Sequence, residues 1–146
     1  MKKLMLILLL SVCFIGNAQE TLLHCGKLID TKQGTVLSNK TIVVSDSKIL
    51  RVEDGFSSPK QDDVVIDLKT KTVLPGLIDM HVHIEGETSP SQYLEEFTLN
   101  EADVAYNAAE IAKRTLMAGF TSVRDLGGSG VNVSLRNAIA KGKVVG

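Results

Sequence analysis

The sequence is poor in several features that would have decided its class at once. It has no tryptophan and only 4% aromatic residues, and no basic patch interleaved with aromatics, which removes the footprint of a nucleic-acid binder. The formal net charge is -1 with 23% charged residues, the balance of an ordinary soluble globular chain. The longest apolar run, Leu4 to Ile15, is about a dozen residues, short of the roughly 20 that span a bilayer as a helix. The glycine-rich stretch Leu126-Gly127-Gly128-Ser129-Gly130 matches neither the dinucleotide fingerprint nor a P-loop. Cysteine is limited to Cys13 and Cys25.

The position of that apolar run gives it a different meaning. Lys2 and Lys3 precede it, and Gly16-Asn17-Ala18 follow before Gln19-Glu20. A basic start, an apolar centre and small residues before the cut mark a secretory signal peptide over residues 1–18. The expectation is export, to a periplasmic or extracellular destination, without a stable membrane span once the leader is removed. Lipid attachment at Cys13 is the alternative, disfavoured because Val12 is bulkier than the small residue usual before such a cysteine. After cleavage Cys25 stands alone, so no internal disulfide can form in the mature chain. In its apolar run it reads as a small buried hydrophobe.

Residues 19–74 carry short β-rich runs: Thr21 to Ile29, Thr41 to Val44, Ile49 to Val52, Val64 to Leu68 and Thr72 to Leu74. Asp46-Ser47 reads as a hairpin turn, and Gly55 to Asp63 as a polar loop with Pro59. The expectation is a small sandwich of antiparallel hairpins in a supporting role. His24 lies in its first run and reads as structural, while Gly26 and Asp30 read as turn residues rather than ligand contacts.

Residues 75–146 carry the chemistry. In the run from Val73 to His83, read as one strand entered through Pro75-Gly76, Leu77, Asp79, His81 and His83 fall on one face, with Ile78, Met80, Val82 and Ile84 on the other. The second face is apolar and should pack. The first would leave a carboxylate and two imidazoles unpaired unless they converge on something that satisfies them. His81 and His83 are therefore candidate metal ligands, since imidazole suits zinc and other first-row metals. Asp79 is placed one step deeper, as a carboxylate that orients a ligand imidazole. Glu85 and Glu87 follow in a polar loop and are left unassigned.

Beyond that loop, Ser91 to Thr98 suggests a short helical turn. Asn100 with Asp103 forms a capping-box-like start to a helix that Gly119 ends, with an apolar stripe of Val104, Ala108, Ile111, Ala112 and Leu116. A second parallel strand, Phe120 to Asp125, should follow, then a helix over Val131 to Lys141 with Val133, Ala138 and Ile139 as buried candidates. Arg124 and Asp125 sit at the strand's C-terminal end. Two readings stand open for them, substrate or supporting contact and an ion pair at the rim.

The runs VLPGLIDMHVH (Val73 to His83) and AGFTSVRDLGG (Ala118 to Gly128) together resemble the amidohydrolase superfamily, in its imidazolonepropionase-like and Xaa-Pro dipeptidase-like branch. The resemblance implies an α/β fold, the start of a (β/α)8 TIM-like barrel behind a composite β-sandwich module. It also implies that His81 and His83 contribute to a mono- or binuclear centre, zinc by preference, completed by a lysine, two histidines and an aspartate from later strands. A barrel of this kind takes about 250 residues, so the stretch after Pro75 is expected to hold its first two strand-helix units, with the general base lying beyond Gly146. The implied reaction is hydrolysis of a C-N bond in an amide, a cyclic amide or a dipeptide, with a small-molecule or dipeptide partner and room for an oligomer. A cyclic amidohydrolase of the hydantoinase or dihydroorotase type is one alternative. A non-catalytic secreted module is the other.

Overall fold

The computed structural model describes residues 19–146; the expected leader lies outside them. Two compact units divide between Pro75 and Gly76.

In the first unit four strands form one sheet. They are β1 (Thr21–Asp30), β2 (Thr35–Ser45), β3 (Lys48–Asp54) and β4 (Val64–Val73), in the order β3-β2-β1-β4. The β2-β3 turn at Asp46 and Ser47 has φ of 49° and 62°, the left-handed pair of a tight hairpin whose twist matches its strands. The β1-β2 turn is closed by Asp30, whose Oδ1 accepts from the N–H groups of Lys32 and Gln33. This is the turn role read from sequence.

A sandwich of hairpins was the expectation, and the described residues instead make a single mixed sheet, because β4 returns to lie parallel to β1. The returning segment is held by buried polar groups. Thr41 Oγ1 donates to Gly55 O at 2.8 Å and accepts from Ser57 N at 3.0 Å, and His24 Nε2 donates to Ser57 O at 3.0 Å. His24 and Thr41 are cross-strand partners on β1 and β2. The structural role expected of His24 therefore has a specific content: with Thr41 it holds the crossing segment that sets β4 beside β1. The runs Val64 to Leu68 and Thr72 to Leu74, expected as two strands, are largely continuous in β4. Gly26 occupies an irregularity between Cys25 and Lys27 in the β1-β4 register, where an added Cβ would lie 1.9 Å from Lys69 O. Cys25, Leu28 and Ile42 form the core of this unit with Leu23, Leu37, Val44 and Val73.

The second unit runs β5 (Leu77–Val82), α1 (Gln92–Thr98), α2 (Glu101–Met117), β6 (Phe120–Asp125) and α3 (Val131–Ala140). β5 and β6 are parallel neighbours, with Leu77 opposite Phe120 and Val82 opposite Asp125. α2 starts in a capping box. Asn100 Oδ1 accepts from Ala102 N and Asp103 N at 2.9 and 3.2 Å, and Asp103 Oδ2 accepts from Asn100 N at 3.2 Å. Gly119, at φ 100°, turns the chain out of the helix into β6.

The core joins Ile84, Ala108, Ala112 and Leu135, with Val82, Ile111, Val131 and Ile139 against them. Two expectations are corrected here. The strand carrying the histidines begins at Leu77, and Val73 belongs to β4. On its apolar face only Val82 and Ile84 reach the core, while Ile78 and Met80 stay 64% and 59% exposed because the packed helices cover the C-terminal end of the strand. In α3, Leu135 takes the buried place expected of Val133, which is 47% exposed. With the helix starting at Val131, the core face falls on 131, 135, 138 and 139.

Candidate metal centre

His81 lies near the end of β5 and His83 one residue past it. The alternation of the strand puts both rings on one side, with centroids 5.4 Å apart and planes at 62°. Both are exposed. Two imidazoles so close would repel each other if both were protonated, and as neutral donors they can share one cation.

The neighbouring carboxylates hold backbone, and Asp79 makes no hydrogen bond to the imidazoles it was expected to orient. Asp79, half-buried, accepts from the His81 N–H through Oδ1 at 2.9 Å, which fixes the carboxylate directly beneath the first histidine. Val82 O accepts from Leu126 N at 3.2 Å. Asp125 ties the two strand ends together, with Oδ2 accepting from Ile84 N at 3.3 Å and Oδ1 from Gly127 N at 3.0 Å. Gly127 O then faces His83 Nδ1 at 3.4 Å. A neutral His83 donating from Nδ1 to that carbonyl keeps its lone pair on Nε2, the nitrogen left for a ligand.

Arg124 and Asp125 are adjacent on β6 and so point to opposite faces. Among the described residues neither enters a salt bridge. Asp125 acts on main-chain N–H groups, and Arg124 lines a groove of about 450 Å3 that also takes in Asp125, Ile84 and Arg136 but neither histidine.

Glu85 is the residue that sequence reasoning left unassigned. Its Oε2 accepts from Ser129 N and its Oε1 from Asn132 N, both at 2.7 Å. Partial burial pushes its pKa up, but these N–H groups, aided by the Ser129 side chain, outweigh that and hold it below the usual carboxylate value. Its neighbour Glu87 pairs with Arg114 at 2.7 Å across an exposed surface, an arrangement of little energetic weight. No local pattern distinguishes these two glutamates, because the partners of Glu85 lie more than forty residues away.

The donor chemistry fits a divalent transition metal, with two neutral-capable imidazoles on one side of a strand end and the ring nitrogen of one engaged by a carbonyl. Among the described residues no third histidine, cysteine, aspartate or glutamate joins them in a group that could hold an ion. Two ligands are fewer than the roughly three protein ligands that a catalytic zinc takes besides its open position.

Comparison with known proteins gives the same direction. Over 88% of its length the chain superposes on a Xaa-Pro dipeptidase with methionine bound in its active site, at 42% identity and a TM-score of 0.79. A prolidase complexed with N-methylphosphonate-L-proline matches over 88% of the chain at 32% identity and a TM-score of 0.75. A 5-methylthioadenosine/S-adenosylhomocysteine deaminase of Bacillus thuringiensis (strain Al Hakam) is 44% identical over 54 residues, 36% of this chain. The chain spans 32% and 30% of the two solved relatives and 12% of the deaminase. Residues 72–146, which contain both histidines and both parallel strands, match the Amidohydrolase family, and the chain belongs to that family.

Proposed function

We propose that this chain carries the first two metal ligands of an exported amidohydrolase that cleaves C-N bonds, with Xaa-Pro and other dipeptides as its substrate class. The observation that carries the reading is the pair of imidazoles, His81 and His83, side by side at the end of a strand that has a parallel neighbour. In this scheme β5 and β6 are the first strands of a (β/α)8 barrel, whose sites are built at the C-terminal ends of the strands. His81 and His83 hold a divalent ion, zinc by donor preference. When bound, such an ion would polarise a scissile carbonyl and lower the pKa of water toward about 7. The residues of this chain do the positioning. Asp79 sets the backbone of His81, Gly127 O sets the ring of His83, and Asp125 fixes the two strand ends that carry them.

The dipeptide class is preferred because the solved structures the chain resembles at 42% and 32% identity are a Xaa-Pro dipeptidase and a prolidase. Export is proposed from the leader composition alone, and the mature chain should then begin at Gln19 on N-terminal sequencing. The test of function is to load the complete gene product with zinc and assay Xaa-Pro and other dipeptides beside cyclic amides and adenosine derivatives. Turnover of the dipeptides supports the proposal. Turnover confined to cyclic amides or to deamination would replace the substrate class, and metal binding without any hydrolysis would favour a non-catalytic module.

A further inference from the structure

The first loop after β5 and the loop after β6 are joined through Glu85, and that junction reaches the ring of His83. The formal N-cap of α3 is Gly130, at φ 107°, which brings no side chain. The first N–H groups of a helix need acceptors. Glu85 supplies both of its carboxylate oxygens to Ser129 N and Asn132 N, from a position two residues after His83. The carboxylate fills the space over Gly128, where an added Cβ would lie 2.6 Å from Glu85 Oε1 and 2.8 Å from Asn132 Nδ2. The loop Leu126 to Gly130 is therefore held at three points: Leu126 N on Val82 O, Gly127 N on Asp125 Oδ1, and Ser129 N on Glu85 Oε2. Gly127 lies between the outer two, and its carbonyl is the group facing His83 Nδ1.

We infer that Glu85 is a positioning residue for the metal centre: by clamping the loop after β6 it holds Gly127 O against His83 Nδ1, and so sets the orientation of the His83 ring and the nitrogen it offers to the metal. This rests on the reading of His83 as a ligand. A cap that served stability alone would not need to come from the loop that follows the ligand strand, nor to place both oxygens on N–H groups just beyond the glycine next to the carbonyl that contacts the ring.

The experiment uses the complete gene product and compares zinc affinity, by chelator competition, with the nitrogen chemical shifts of His83. The variants are Glu85→Gln, which keeps the size but only one acceptor oxygen, and Gly128→Ala, which pushes the carboxylate off its seat from the other side. Asn100→Ala is the control, since it removes the cap of α2 and leaves the loop after β6 untouched. His83→Ala tests the underlying assignment. The expected result is a loss of zinc affinity of about tenfold, the low end for outer partners of a ligand histidine, in both junction variants. Their His83 shifts should move toward a mixture of the two tautomers, while Asn100→Ala keeps wild-type affinity and shifts. Wild-type affinity and shifts in Glu85→Gln, or equal losses in Asn100→Ala, would overturn the positioning role. Unchanged affinity in His83→Ala would instead remove the ligand assignment on which it rests.

Discussion

Alanine at Gly76 should destabilise the protein by a clash that a second substitution removes. Gly76 does not have a left-handed φ, so the backbone itself accepts a side chain there. Thr121 is the obstacle: a Cβ built on Gly76 would lie 2.1 Å from its Oγ1, 2.4 Å from its Cγ2 and 2.7 Å from its Cβ. Rotating Thr121 moves the first two atoms and leaves the third, so the strands must separate where Leu77 faces Phe120. Overpacking of this kind costs about 1–3 kcal/mol, and a contact this short belongs at the upper end. The loss of unfolded-chain entropy on replacing glycine works the other way by about 0.4–1 kcal/mol. A net loss of about 2 kcal/mol follows from those two ranges. Urea unfolding of Gly76→Ala, Thr121→Gly and the double variant forms a complete cycle. Once the Thr121 side chain is removed, the alanine should cost nothing or stabilise slightly, which gives a coupling near the top of the roughly 0.5–3 kcal/mol seen for residues in contact. Equal losses from Gly76→Ala with and without the Thr121 side chain would refute the reasoning, and so would an unchanged stability in the single variant.

The sheet of the first unit should weaken in acid. Glu20 is held below its usual pKa by hydrogen bonds from Arg51, Glu53 by Ser57 and then Arg51, and Asp63 by the N–H groups of Lys60 and Glu20. A carboxylate whose folded pKa is depressed contributes fully above its unfolded pKa, and loses that contribution as pH falls through the folded value. Protection of β1 and β3 amides against hydrogen exchange, taken relative to the intrinsic rate at each pH, should therefore fall below about pH 4.5, where unfolded glutamates begin to take up protons, and less steeply in Arg51→Met; an unchanged pH profile in that variant would contradict the assignment. Asn100→Ala should cost about 1 kcal/mol through loss of the α2 cap, readable as a lower urea midpoint, and Asn100→Asp should restore most of it. Gly26→Ala should be worse than Gly76→Ala, because the atom it meets is the main-chain oxygen of Lys69, and it should lower soluble yield where Gly76→Ala does not.

How much could be read in advance depended on whether the cause was local. Asn100, Asp103 and Gly119 mark the ends of α2 through contacts within a few residues, and the helix runs from Glu101 to Met117 between them. Phe120–Asp125 is a strand as its composition suggested, and Asp46-Ser47 is the turn its residue types favour. The alternation of His81 and His83 was legible because a strand has a period of two. Four features were not legible, and each depends on a distant partner. Gly76 looks like a turn residue beside Pro75, whereas Thr121 is what excludes a side chain. The parallel placing of β4 depends on Thr41 and His24 holding residues 55–57, which no hydrophobic pattern encodes. Val133 and Leu135 are alike in sequence until the start of α3 sets their phase. Glu85 sits in a polar loop like any exposed glutamate, and the N–H groups it accepts from belong to Ser129 and Asn132. The ligand roles proposed for His81 and His83 rest on the chemistry of the pair and on family membership.

Metal content is the measurement closest to the central claim. The complete gene product, loaded with zinc and dialysed, should retain the ion by elemental analysis. His81→Ala and His83→Ala should each lose affinity by more than the roughly 10- to 100-fold that accompanies loss of an outer partner, with the fold intact by circular dichroism. Full retention of zinc at unchanged affinity in either variant would contradict the account.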